Sequence, residues 1–249
     1  MVNSHYKLAG GLLMGNLKQF LFKYKHAIII LYIPIYMAWF ILLEKRTDVK
    51  FIEVHCIIDD FIPFCEIFII PYLLWFIYVA ASLVFLFFQT KYIDDFYKCA
   101  AILVMGMTTS LIIYTFFPNA QNMRPDSFER ENIFTNIISV LYAADTDTNV
   151  CPSIHVYNSI AIHASIATSQ YFKDKKWIKN SSLILCILIC MSTLFLKQHS
   201  FIDLICAAAL YIFYYNIIYR QIPLQYNIHY KAGKVRRFAK SIKHHRELQ

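Results

Sequence analysis

Residues 199–219 read HSFIDLICAAALYIFYYNIIY and join a histidine and an aspartate to an apolar run long enough for a membrane helix. His199 and Asp203 are four residues apart, so they share one face if this segment is helical. A carboxylate beside an imidazole fixes its tautomer and raises its basicity, as nucleophilic attack or proton transfer requires. The same spacing also fits a simple polar contact, so the rest of the chain must decide between the two.

The composition is that of a membrane protein. Of the 249 residues, 58% are hydrophobic and 16% are charged, and the mean hydropathy is +0.46. A soluble domain of this length does not bury so much apolar surface. The apolar runs lack the alternation of barrel strands, so we expect an all-α fold. Six runs approach the roughly 20 residues that a membrane-spanning helix needs, and they predict a bundle of six transmembrane helices: 27–43, 67–88, 99–117, 154–170, 181–196 and 201–219.

The fourth run differs from the others because polar side chains interrupt it. Polar residues within a span are expected to face the protein interior. We therefore predict that this helix lines a site. The interrupting residues are His155, Asn158, Ser159, His163, Ser165 and Thr168.

The chain shows no internal repeat or linker, so we expect a single membrane domain over residues 1–249. Residues 1–25 mix apolar side chains with lysines, which is typical of an amphipathic helix lying in the membrane interface. Residues 27–219 are expected to form the six-helix core. The first run ends in charged residues and not at a small-residue cleavage site, so it is predicted to be a retained span.

The distribution of basic residues predicts the orientation. Most of the 24 Lys and Arg residues fall in four segments, which alternate along the chain with segments that contain fewer basic residues. The four basic segments are 1–25, 90–98, 171–180 and 220–249. Because cytoplasmic loops are enriched in Lys and Arg, both termini are predicted to be cytoplasmic. The basic C-terminal tail is expected to contact anionic lipid heads and not nucleic acid, since no nucleic-acid recognition module accompanies it.

The three remaining connecting segments hold the polar residues that are hardest to explain by packing. This convergence on one side of the membrane indicates a site, because the orientation was inferred from other residues. Arginine, lysine and histidine together suit an anionic substrate, of which phosphate is the commonest. The residues concerned are Asp59, Asp60, Arg124, Ser153, His155, Lys197, His199 and Asp203.

Three short motifs resemble those of the type 2 phosphatidic acid phosphatase superfamily of membrane lipid phosphatases and phosphotransferases. They occur in the family's order and with its spacing: Arg124-Pro125, then Pro152-Ser153-Ile154-His155, then Ser192-Thr193 with His199 and Asp203. The resemblance implies that His199 is the nucleophile that takes the phosphoryl group and that Asp203 orients it. It also implies that His155 protonates the leaving oxygen, while Arg124 and Ser153 bind the phosphate.

The motifs depart from the family's pattern at three positions. Phe117 stands where the first motif has lysine, Thr193 stands where the third has arginine, and Ile154 replaces a glycine. Lys197, two residues before His199, is predicted to restore one of the two missing cations. This variant pattern resembles the branch that includes inositol phosphorylceramide synthases, which transfer a phospho-headgroup between lipids.

Other candidate residues are weaker. We expect Asp59 and Asp60 either near the rim of the site or as a helix cap in a solvated loop. His163 follows His155 by two helical turns, and we expect it to make a contact within the bundle. The seven cysteines show no paired spacing for a metal, and phosphoryl transfer through a histidine requires no metal or other cofactor.

The leading prediction is a multi-pass cell-membrane enzyme that hydrolyses a lipid phosphate or diphosphate at the extracytoplasmic face. Transfer of a phospho-headgroup to a lipid alcohol shares the first half-reaction, so it stays as an alternative. An ion- or proton-coupled transporter is the alternative from another class, because ionisable residues within a membrane also mark ion paths. A homologue that only binds a lipid phosphate is also consistent with the missing lysine and arginine.

Overall fold

A computed structural model describes residues 25–221, and the following account refers to that part of the chain. The predicted interfacial helix, except its last residue, and the basic tail beyond residue 221 lie outside it. The described chain is mostly helical, in agreement with the predicted all-α class. Its α-helices are α1 (Tyr32–Glu44), α2 (Ile57–Phe61), α3 (Ile69–Phe88), α4 (Ile93–Phe116), α5 (Ile133–Ala144), α6 (Ile154–Thr168), α7 (Lys176–Phe195) and α8 (Phe201–Tyr215).

Short elements link these helices. Single 3₁₀ segments precede α1, α3 and α4, at Lys25–Leu31, Glu66–Phe68 and Thr90–Tyr92, and a π-helical turn, Asn216–Gln221, follows α8. Two parallel strands, β1 (Ile52–Glu53) and β2 (Asn119–Ala120), pair with Ile52 opposite Asn119. This pairing ties the segment after α1 to the segment after α4.

Five helical segments are long and apolar enough to cross a membrane, and they match five of the six predicted spans. Their bounds are Ala27–Glu44, Glu66–Phe88, Thr90–Phe116, Lys176–Phe195 and Phe201–Arg220. The third begins before the predicted residue 99 because Asp94 and Asp95 lie in the first turn of α4. Acidic residues in a first turn complement the positive end of the helix dipole. A span predicted from a run of apolar residues alone does not include them, so it starts too late.

The predicted span at 154–170 forms the 15-residue helix α6. At 1.5 Å per residue it is about 22 Å long, shorter than the roughly 30 Å of a bilayer's hydrocarbon core. It is therefore not one of the five long apolar helices of the described chain. Helix α6 packs against α3, α4, α7 and α8, which explains why it carries so many polar residues. Most of those side chains face protein, whereas Thr168 at the end of the helix is exposed.

Helices α4 and α6 approach each other closely at Gly106. A Cβ atom at this position would lie 1.9 Å from the ring of Tyr157. The Tyr157 hydroxyl donates a hydrogen bond to the carbonyl of Ile102, one turn earlier on α4, at 2.7 Å. The absence of a side chain at residue 106 thus makes room for the tyrosine that fastens the two helices together.

The described part of the chain divides into two compact units, with the boundary between residues 42 and 43. The second contains the candidate site and a cluster of buried side chains from α3, α5 and the end of α7: Ile69, Tyr72, Ile138 and Leu196. Helix α5 was not predicted, because its 12 residues are too few for a membrane span. It supplies Ile138 to this cluster.

Candidate active site

The contact between His199 and Asp203 arises from the way α8 begins. Ser200 is the N-cap residue, and its hydroxyl oxygen accepts a hydrogen bond from the Ile202 N–H. The Ser200 N–H in turn donates to Asp203 Oδ2 at 2.9 Å, completing a capping box. The same Oδ2 atom lies 3.2 Å from His199 Nδ1, and both side chains are buried. His199 therefore precedes the helix, as the predicted span 201–219 implies, and the capping box joins the pair.

The backbone of His199 is fixed to the end of α7. The N–H groups of Gln198 and His199 both donate to the carbonyl of Thr193, at 2.9 and 3.1 Å. Lys197, which precedes them, has a φ of 52°, a left-handed conformation that closes the turn between α7 and α8. The histidine is thus held by a tight turn between two membrane helices.

His155 lies next to His199. Its Nδ1 is 3.4 Å from His199 Nε2, and the ring centroids are 5.6 Å apart. Tyr72 and Trp75, three residues apart on α3, flank the His155 ring with centroid distances of 4.8 and 4.4 Å. The Tyr72 hydroxyl donates to Asp145 Oδ2 at 2.9 Å. The aromatic side chains therefore orient the His155 imidazole.

Ser153 brings the start of α6 to the start of α8. It is the N-cap of α6, and its hydroxyl oxygen accepts from the Val156 N–H at 3.3 Å. Its own N–H donates to the carbonyl of Asp203 at 3.3 Å. The amino ends of two helices carry partial positive charge, so their meeting here favours an anion. The cap uses the Ser153 oxygen as an acceptor and leaves its hydroxyl hydrogen as a donor.

Arg124 connects the loop after α5 to the residue before His199. Its guanidinium donates to the carbonyls of Tyr142, Asp145 and Thr146 at 3.2, 2.9 and 2.7 Å. It also donates to Oε1 of Gln198 at 2.5 Å. Within residues 25–221, Arg124 Nε and Gln198 Nε2 are buried without a hydrogen-bond partner. One nitrogen of each side chain therefore has unused hydrogen-bond donors.

The positions where the family's cations are missing take other roles. Phe117 is 61% exposed. Thr193 is fully buried, and its hydroxyl donates to the carbonyl of Cys190 at 2.8 Å. The Lys197 ammonium donates to the carbonyl of Asp59 at 2.8 Å. Burial lowers the pKa of Lys197, and the carboxylates of Asp59 and Asp60 oppose this shift only in part.

Asp59 and Asp60 are neighbours on α2 but differ in their surroundings. Asp59 is 3% exposed and accepts hydrogen bonds from Ser200, Phe201 and Cys56. Burial raises the pKa of the Asp59 carboxyl, but the hydrogen bonds together lower it by more than burial raises it. The pKa of Asp59 therefore lies below its ordinary value. The bond from the Cys56 N–H makes Asp59 the third-residue partner in a capping box whose N-cap is Cys56, but its burial does not fit the solvated loop of the alternative prediction. The Asp60 carboxylate is 63% exposed and pairs with His55 at 2.8 Å.

Several residues of this region were not predicted as site residues. Ser200 could have been recognised from the Ser-x-x-Asp pattern of a capping box. Tyr72 and Trp75 lie on one helix face, but nothing in the sequence says that this face meets His155, and no sequence signal marks Gln198. His163 lies 3.1 Å from Ser182 Oγ, a contact within the bundle as expected.

Comparison with known proteins agrees with the motifs. The family model described as the PAP2 superfamily matches residues 96–226, which is more than half of the chain and includes all three motifs. No curated protein and no solved structure matches the chain. The match does not separate the branch that contains inositol phosphorylceramide synthases from the rest of the superfamily. The chain therefore belongs to the PAP2 superfamily, the type 2 phosphatidic acid phosphatases, whose members are phosphatases or phosphotransferases.

Proposed function

We propose that this protein hydrolyses a lipid phosphate or diphosphate through a phosphohistidine formed on His199. The observation that carries the proposal is the buried series of contacts from Asp203 to His199 to His155. Asp203 faces Nδ1 of His199, so a proton on Nδ1 leaves the lone pair on Nε2. That nitrogen faces His155 and is the one available for attack.

In the first step, His199 Nε2 attacks phosphorus while the bond from phosphorus to the lipid oxygen breaks. The leaving oxygen takes the bonding electrons, and His155 gives it a proton. His155 Nδ1 and His199 Nε2 are 3.4 Å apart, so a phosphate that binds between the two rings must separate them. In the second step, His155 removes a proton from water, which attacks phosphorus and releases inorganic phosphate and His199. No metal ion takes part in either step.

Phosphate binding falls to Arg124, Ser153 and Lys197, together with the amino ends of α6 and α8. Charge neutralisation by oriented donors is the main requirement of phosphoryl transfer. The unpartnered Nε of Arg124 and Nε2 of Gln198 support a phosphate position beside His199. Because the Arg124 guanidinium already binds three carbonyls, the phosphate meets a preorganised donor.

Transfer to a lipid alcohol is the second candidate function. It is favoured by the exposed Phe117 and the buried Thr193, which leave this chain with fewer cations than the family's pattern. A phosphodiester carries less charge than a phosphomonoester and needs fewer cations for binding. The first step is unchanged, and an alcohol replaces water in the second.

Purified protein in detergent is expected to release phosphate from at least one member of a panel of phosphatidic acid, phosphatidylglycerol phosphate and isoprenoid phosphates and diphosphates. Release should persist in excess EDTA, because both steps use protein side chains only. The measurement is colorimetric phosphate with and without chelator. Loss of activity in EDTA and recovery with a divalent ion would contradict the metal-independent mechanism. No release from any substrate, with headgroup exchange onto an added lipid alcohol, would favour the transferase.

We further propose that α6 is a sixth span and that the site faces the extracytoplasmic side, as the distribution of basic residues predicts. A cysteine label tests this orientation. Asp174 and Ser127 are both exposed, and they lie in connections predicted to be on opposite sides. With the native cysteines replaced by alanine, Ser127→Cys is expected to react with an impermeant maleimide in intact cells, and Asp174→Cys only after lysis. The reverse pattern would contradict the proposed orientation.

A further inference from the structure

We propose that Asp59 is a positioning residue for the nucleophile, which it holds through the turn and the helix start on either side of His199. This inference rests on the proposed function of His199. Asp59 precedes that histidine by 140 positions and belongs to the short helix α2. Nothing in the three motifs includes it.

Asp59 contacts the chain on both sides of His199. Its Oδ2 accepts a hydrogen bond from the Ser200 hydroxyl at 2.5 Å, and its Oδ1 accepts from the Phe201 N–H at 2.8 Å. Its backbone carbonyl accepts from the Lys197 ammonium at 2.8 Å. One buried residue therefore fixes three positions within a turn of five residues, and the nucleophile lies between them.

These contacts lead directly to the imidazole. Ser200, which donates its hydroxyl to Asp59, donates its N–H to Asp203 Oδ2. The same Oδ2 atom faces His199 Nδ1. Asp59, Ser200, Asp203 and His199 thus form one hydrogen-bonded series. A displacement of about 1 Å at a reacting group costs about 10²-fold in rate, so a residue that fixes this series sets the geometry of attack.

The charge of Asp59 also suits the position. The Phe201 N–H is one of the first N–H groups of α8, which have no partner within the helix. A carboxylate there is favoured by the positive end of the helix dipole. With the Cys56 N–H, the carboxylate accepts three hydrogen bonds, which favours its ionised form in a buried place. Asparagine has nearly the same shape but lacks the charge and one acceptor oxygen.

Asp59→Asn is the test, and Asp60→Asn is its matched control. The two substitutions make the same charge change at adjacent residues of one helix, one buried and one exposed. We expect Asp59→Asn to lower kcat about 10- to 100-fold with little change in KM, because the nucleophile is displaced while the phosphate donors remain. Asp60→Asn should stay within about twofold of the parent protein.

Two comparisons separate positioning from a general structural role. Arg124→Lys, which alters a phosphate donor, should raise KM, in contrast to Asp59→Asn. Single-turnover formation of phosphohistidine should slow in Asp59→Asn by the same factor as kcat.

Folding is checked by the melting temperature and by gel filtration in detergent. Ser200→Ala removes the same hydrogen bond from the other partner, so it should give the same kcat loss, and it replaces Asp59→Asn if that variant does not fold.

The double variant gives a final check. Asp59 and Ser200 are expected to act as one unit. The protein that carries both Asp59→Asn and Ser200→Ala should therefore be no less active than the less active of the two single variants. A folded Asp59→Asn protein with the kcat of Asp60→Asn would overturn the inference and leave the proposed function intact. Full turnover by His199→Ala would instead overturn the proposed function.

Discussion

Replacement of His199 by alanine is expected to reduce phosphate release by about 10³-fold or more. Without the imidazole no phosphohistidine forms, and a phosphate bound by Arg124 has no nucleophile beside it. The fold should persist, because Asp203 Oδ2 keeps its hydrogen bond from the Ser200 N–H. The measurements are phosphate release and the trapping of labelled phosphate in an acid-labile, alkali-stable form. Both should disappear together.

His163→Ala is the matched control for this variant. It removes the same side chain from the interior of the bundle, where His163 contacts Ser182 and not the proposed site. Its activity per folded molecule should remain within about twofold of the parent protein. Turnover by His199→Ala equal to that of His163→Ala would contradict the nucleophile assignment.

His155→Ala is expected to lower turnover of a lipid phosphate by about 10²- to 10⁴-fold, the usual range for loss of a general acid. The reason is that an alkoxide leaves poorly without a proton. An aryl phosphate with an acidic phenol as leaving group does not need that proton, so the loss in phosphohistidine formation should shrink by about tenfold or more. The measurement is single-turnover labelling of His199 from both substrates.

The contrast between the two substrates makes this prediction specific. If His155 only packs against Tyr72 and Trp75, its removal should slow both substrates equally. Equal losses would therefore contradict the role of general acid. The variant should still form phosphohistidine from the aryl substrate, which His199→Ala cannot do.

The membrane helices were the most predictable part of the fold. Apolar runs of about 20 residues leave few alternatives in a bilayer, and five of the six runs match long apolar helices. Helix α6 packs against four helices, as its polar residues predicted, but its 15 residues are too few to place it among the long apolar helices of the described chain. Helix α5 was missed because it is apolar but short.

The candidate site was predictable from the motifs only in part. The spacing of the motifs marked His155, His199 and Asp203, and the structure brings these three into contact. Asp59 contacts Ser200 and Phe201, which lie about 140 positions later in the chain, and no local sequence pattern predicts such a contact. The predicted span 201–219 begins where α8 does, with Ser200 as its N-cap, so the helix start could be predicted from the local sequence. Long-range packing, which sequence patterns do not encode, decided the surroundings of Asp59.

The left-handed backbone at Lys197 limits how this protein can be stabilised. Asn149, which also has a positive φ, is of a type that adopts this conformation readily, but lysine is not. Glycine at residue 197 would relieve about 1 kcal/mol of backbone strain. Lys197 lies two residues before His199, and the substitution would also remove its ammonium, which donates a hydrogen bond to the Asp59 carbonyl. Glycine would thus ease the turn but remove a contact that holds Asp59, so we expect a thermostabilised protein to keep lysine at residue 197.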